Sequence, residues 1–166
     1  MQIQYSIFYK CSCGGKRPLK IRGEGDPLMR IMAIDYGDAH TGVAISDPTG
    51  LLAGYTATVN AYTPEKVIAQ LRPLIEQYHV EQLVLGCPKN MDGTEGPRAE
   101  KSRRFQAQLE DATGLPVALW DERRTTIDAH NILFSAGKNA KKRKKTVDAV
   151  AASLILEGYL TRLRQG

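Results

Sequence analysis

Three acidic positions in this chain stand where chemistry, more than solubility, calls for a carboxylate. Asp35 closes the apolar run Ile31, Met32, Ala33 and Ile34, and strand alternation sets it on the face of Ile31 and Ala33. Asp121 and Glu122 follow the apolar run Val117-Ala118-Leu119-Trp120. Asp148 lies in KTVDAVAASLILEGYL, where positions i+3, i+4 and i+7 are Ala151, Ala152 and Ile155. That spacing points Asp148 inward, and the two alanines let a helix come close to a sheet. A buried carboxylate is costly unless cations or donors hold it. Two or three brought together repel strongly unless a divalent cation lies between them. Hard oxygen ligands without a nearby histidine pair favour Mg2+ or Mn2+ over Zn2+. Ions held this way suit in-line phosphodiester hydrolysis. We therefore read Asp35, Glu122 and Asp148 as catalytic and metal-binding. Glu122 is preferred to Asp121 for its longer reach, and Asp121 is kept as a further metal ligand. Each acid also has a plainer use. Asp35 can sit in a turn, Glu122 can pair with Arg123 or Arg124, and Asp148 can favour the first turn of a helix.

Basic residues lie where a polyanion would pass such a site. Lys141, Lys142, Arg143, Lys144 and Lys145 form the densest charge of the chain, read as part of a loop over residues 136–145 just before the Asp148 helix. Arg98, Lys101 and Arg104 recur every three residues after Thr94-Glu95-Gly96-Pro97, a second stripe that can hold nucleic acid or simply face water. Gly37 and Gly42 allow the backbone to approach a phosphate, or else permit a tight hairpin. Cys87 and Trp120 read as core, and Asp38, Asp47 and Asp92 as turn residues.

The elements that must position these groups follow from periodicity. Strands are expected over Arg30 to Asp35, Val43 to Ser46 and the alternating Leu51, Ala53, Tyr55, Ala57 and Val59, together an antiparallel meander. Thr63-Pro64 supplies an N-cap and a first-turn proline for a helix carrying Val67, Ile68, Leu71, Leu74 and Ile75, with a bend expected at Pro73. Gln82 to Gly86 is a short buried strand. A helix opened by Thr94 and Pro97 turns Ala99, Ser102, Phe105 and Leu109 inward, and Pro116 to Trp120 is a further strand. Helices are expected from about Thr125 to Ser135 and from about Thr146 to Arg164. A meander followed by two crossovers predicts an α/β fold, a mixed five-stranded sheet with helices on both faces and its first strand central. That is the RNase H-like plan.

The 166 residues, 42% hydrophobic and 25% charged, suit one ordinary globular domain. No apolar run approaches a membrane span. Three cysteines, Cys11, Cys13 and Cys87, make neither a disulfide framework nor a zinc site, which fits the cytoplasm. Of the net charge of +5, residues 1–28 supply +3, so the placement of basic residues matters more than their total. Those first 28 residues mix Gly, Pro and basic residues without sustained periodicity. They read as a disordered or appended leader, or else as a basic arm that touches nucleic acid, with the domain spanning 29–166.

The segments IDYGDAHTGVAISD, LVLGCPKNMDGTEGPRA, DERRTT and KKTVDAVAASLILEGYL, in this order, resemble the YqgF (RuvX) family of RuvC-like proteins. The resemblance implies an RNase H-like fold and a divalent-metal nuclease of the cytoplasm acting in 5′-end maturation of 16S rRNA, or on Holliday junctions. It implies metal-linked acids at Asp35, Glu122 and Asp148. The partners it implies are structured RNA, branched DNA or ribosomal precursor particles, bound by a monomer or homodimer. RuvC resolvases carry an acid just after the fourth strand, where this chain reads Gly86-Cys87-Pro88. Two rivals belong to other classes. One is an actin-like sugar kinase, whose phosphate loop also reads Asp-x-Gly but which needs a second domain to close over ATP. The other is an RNA-binding factor that does not cut.

Overall fold

The computed structural model describes the backbone of residues 8–10, 16–18, 29–90, 92–121 and 140–165, and the side chains of 29–90, 92–121 and 148–165. Among the first 28 residues, where no regular structure was expected, β1 (Phe8–Lys10) and β2 (Lys16–Pro18) pair antiparallel, Tyr9 opposite Arg17.

The domain proper is built on β3 (Ile31–Tyr36), β4 (His40–Ser46), β5 (Ala53–Asn60), β6 (Gln82–Cys87) and β7 (Val117–Asp121). They form one sheet in the order β5-β4-β3-β6-β7. The first three pair antiparallel, whereas β6 and β7 are added parallel to β3. The predicted mixed sheet with a central first strand is therefore present. β4 starts at His40, earlier than expected, because the residues after a short turn already pair with both neighbours. β5 starts later, at Ala53. The apparent alternation at Leu51 is a turn, in which Asp47 Oδ1 accepts from the Leu51 amide at 3.0 Å, leaving Leu51 and Leu52 exposed.

On one face lie α1 (Pro64–Gln77) and α2 (Pro97–Thr113). Thr63 Oγ1 accepts from the Lys66 amide at 3.4 Å, the expected cap, and the helix runs on through Pro73. The expected inward residues of α2 (Ala99, Ser102, Phe105 and Leu109) are all buried, and Gly114 at φ 68° ends that helix. Phe105 and Leu109 join Met32, Ile34, Val43, Ile45, Leu71, Leu83 and Leu85 in the larger core. On the opposite face lies α3 (Ala140–Gln165), where Ala152, Ile155, Leu156, Tyr159 and Leu160 cover Ile31, Ala33, Ala44, Val84, Ala118 and Trp120. Cys87 and Trp120 are core residues, as expected.

One expectation is corrected here. The run Lys141 to Lys145 is helical and belongs to α3, not to a preceding loop. Lys and Arg are good helix formers, so a dense charge run is no barrier to a helix that packing further along already anchors. The helix expected from Thr125 to Ser135 lies outside the described residues. Among the described residues, no helix is long and apolar enough to cross a membrane.

Candidate active site

Asp35 sits near the end of the central strand on the α3 side, with the alternation predicted. Its partner across the antiparallel ladder is Gly42. A Cβ at Gly42 would overlap the backbone carbonyl of Asp148, so only glycine lets α3 settle on the sheet at this point. The close approach expected of Gly42 is thus made by the protein's own helix. Gly37 does likewise one turn away, where a Cβ would overlap the His40 carbonyl and open the β3–β4 turn.

The consequence is electrostatic. With α3 held against β4, Asp148 acts on Asp35 from one strand away, and its Oδ2 is buried. Burial first, and the charge of Asp148 second, push the Asp35 carboxyl up to about 6, while the Arg98 guanidinium pulls it down. Two carboxylates this close compress each other's ionisation until a cation relieves them. The donor set, oxygen only and drawn from a strand and a helix, fits a hard divalent cation better than zinc. Among the described residues, no group of three or more His, Cys, Asp or Glu converges, so this pair is the site's described part.

Asp121 ends β7 opposite Cys87. Its alternation follows Val117 and Leu119, which pack in the α1/α2 core, whereas Ala118 and Trp120 face α3. Asp121 therefore belongs by register to the face away from Asp35. Glu122, one position further, lies outside the described residues.

The basic positions divide. Lys101 is ion-paired with Asp38, and its Nζ lies 4.9 Å from the centroid of the Tyr36 ring, which stacks on Phe105 at 3.8 Å. That hydrogen bond holds the Asp38 carboxyl below its ordinary range. Arg104 reaches Glu100 at 3.8 Å along its own helix. Arg98 is exposed beside the site. Asp38 does lie in the β3–β4 turn, as expected, and there it also makes an exposed ion pair with Lys101 of α2. No spacing signal could have shown it, since Lys101 is 63 residues away. Also unforeseen was Glu95, which grips Arg103 through two hydrogen bonds of 2.7 and 2.5 Å and pairs with Lys89 at 3.6 Å. The loop before α2 is further built by Thr94, whose amide donates to Asp92 Oδ1 at 2.9 Å. The Lys141 to Lys145 run lies three to seven residues before Asp148, roughly 5 to 10 Å along the α3 axis.

A mixed sheet with an acid ending its central strand, and a second acid on the helix across it, defines a RuvC-like α/β domain. Thermus thermophilus RuvC, solved in complex with a Holliday junction substrate, matches with a TM-score of 0.55 over 84% of this chain and 98% of its own. At 13% identity that likeness is one of fold. The family model RuvX, described as Holliday junction resolvase, matches residues 29–162, and the chain belongs to this family. A relative from Halothermothrix orenii, named "putative pre-16S rRNA nuclease", is 48% identical over 132 residues, covering 80% of this chain and 94% of its own length. A relative of the same name from Geobacillus kaustophilus is 44% identical over 138 residues, 82% of this chain and all of its own.

Proposed function

We propose that this chain is a divalent-metal-dependent nuclease that hydrolyses phosphodiester bonds in 5′-end processing of pre-16S rRNA. The observation that carries this reading is the Asp35–Asp148 pair, brought within electrostatic reach by the close approach of α3 at Gly42, in a chain matched along nearly the full length of relatives bearing that name. Asp35, Asp148 and Glu122 hold the metal, Mg2+ or Mn2+, in this reading. Glu122 is preferred to Asp121 because the strand register turns Asp121 to the other face. A cation bound there supplies activation of water and stabilises the leaving oxygen. The chain's own part is to keep anionic oxygens fixed on rigid elements and to hold the substrate backbone. Lys141 to Lys145, Arg98, Lys101 and Arg104 are the proposed phosphate-facing cations. Structured RNA of ribosomal precursor particles in the cytoplasm is the proposed partner.

The test is cleavage of an RNA carrying the 5′ leader of 16S rRNA, beside a four-way DNA junction, with Mg2+ or Mn2+. Metal-dependent cutting of the RNA that disappears in Asp35→Asn, with RNA binding retained, is the expected outcome. Cutting that continues in excess chelator, or at the wild-type rate in Asp35→Asn, overturns the metal site. Preference for the junction overturns the rRNA assignment. Neutralising Lys141 to Lys145 should flatten the log-affinity against log-salt slope by roughly 0.7 to 0.9 per lost contact.

A further inference from the structure

Five cations stand on α2 or in the loop before it, and the structure separates them. Lys89 and Arg103 are both held by Glu95, Arg104 by Glu100 and Lys101 by Asp38. Arg98 is the exception: among the described residues no carboxylate lies within ion-pairing distance of it. Its backbone carbonyl accepts the Ser102 hydroxyl at 3.2 Å, a bond within α2 that does not involve the guanidinium.

Its position is not arbitrary. Lys101 ties α2 to Asp38 and lies over Tyr36, the residue that follows Asp35 in β3. Arg98 is three residues earlier on the same side of the helix, one turn nearer its start. It therefore stands at the catalytic end of the sheet, close enough to act on both Asp35 and Asp38 without bonding to either. A guanidinium presents a planar fork that takes two phosphate oxygens at once. Once a cation neutralises the carboxylates, an anionic phosphate is the group such a guanidinium is suited to take.

We propose that Arg98 grips the phosphodiester group that is cut, on the α2 side of the carboxylate pair, while Lys101 and Arg104 are held in place by Asp38 and Glu100. This rests on the nuclease reading and adds a substrate contact to it. It separates Arg98 from a stripe whose three members would otherwise count equally.

The experiment compares wild type, Arg98→Ala, Arg98→Lys and, as a control outside the proposed site, Lys66→Ala on the exposed side of α1, in single-turnover cleavage at saturating RNA with Mg2+. Binding is measured in parallel with Ca2+, on the same RNA and on one carrying a neutral methylphosphonate at the mapped cut linkage. Arg98→Ala should lower the cleavage rate roughly 10²-fold, as loss of a preorganised donor does, with Arg98→Lys intermediate and Lys66→Ala near wild type. Its binding defect should vanish on the neutral linkage, and Mn2+ affinity should stay level or rise. Cleavage by Arg98→Ala within threefold of wild type overturns the proposal. So does an equal binding defect on both RNAs, or loss of Mn2+ affinity, which would make Arg98 a support for the carboxylates. A wild-type protein that cuts nothing with Mg2+ overturns the nuclease reading and this contact together, an outcome distinct from the others.

Discussion

The two faces of the sheet are packed to different ends. The α1/α2 face is filled with large side chains (Met32, Ile34, Ile45, Leu71, Leu83, Leu85, Phe105, Leu109) that interdigitate in the ordinary way. The α3 face mixes large side chains (Ile31, Trp120, Ile155, Leu156, Tyr159 and Leu160) with small ones, Ala33, Ala44 and Ala118 on the sheet and Ala152 on the helix. Two glycines, Gly42 beneath Asp148 and Gly158 beneath Trp120, remove even the Cβ. Large residues bury more apolar area and hold the fold, whereas small ones give up area to let backbones approach. Asp35 and Asp148 lie on the second face, where α3 brings Asp148 within electrostatic reach of Asp35. Both faces bury large side chains, and the α3 face adds proximity.

The strongest test of that contrast is Gly42→Ala. The added methyl must displace α3 at Asp148, and a shift of about 1 Å at reacting groups costs on the order of 10²-fold in rate. Cleavage should fall by at least that factor while circular dichroism stays native. Normal activity in a folded Gly42→Ala protein would show that the close approach is dispensable.

The complementary change is Leu71→Ala, fully buried on α1 and remote from the carboxylates. It should cost about 2 to 5 kcal/mol in urea unfolding, yet leave the cleavage rate unchanged at temperatures where the protein is folded. A large rate loss there would mean that the two faces are not separable.

A smaller effect should appear when metal is removed. In chelator, the Asp35 carboxyl ionises near 6 in the folded protein, above its ordinary 3.8. The fold then holds the proton more tightly than the unfolded chain, so stability falls as pH rises from about 4 through 6 and is level above that. Asp35→Asn should erase this dependence and stabilise the metal-free protein at pH 8 by roughly 1 to 3 kcal/mol. Thermal melts at several pH values would read both. A wild-type melt that does not change between pH 4.5 and 8, or a destabilised Asp35→Asn, would count against the repelling pair.

The smallest effect belongs to Glu95, on the exposed start of the α2 side. Arg103 holds its carboxyl down to about 2, so whatever stability the pair supplies is full above the ordinary 4.5 and is lost as pH falls toward 2. Glu95→Gln should leave the melting temperature at pH 7 within a degree or two, since exposed pairs contribute little. It should, however, make the acid limb of the stability profile shallower.

How far these features could be read in advance depended on range. Thr63-Pro64 and the spacing of Ala99, Ser102, Phe105 and Leu109 are local statements, and α1 and α2 appear where they point. Asp35 was legible because alternation is also local: an acid after four apolar residues must face something. The sequence by itself therefore determined the strand and helix order, the central strand and the side of the sheet on which Asp35 lies. Only the tertiary structure decided the rest. Asp148 is 113 residues from Asp35, and what joins them is the missing Cβ of Gly42, whose neighbour no periodicity could name. Lys101 meets Asp38, and Arg98 is left without an ion pair among the described residues, through the docking of α2 on a turn far from it in the chain. The early start of α3 belongs to the same class, since packing beyond Asp148 extends the helix back through a run that charge alone would leave in solvent. Periodicity reports which way a residue faces; what it meets there is set by contacts between distant segments, whose energies exist only once the chain has folded.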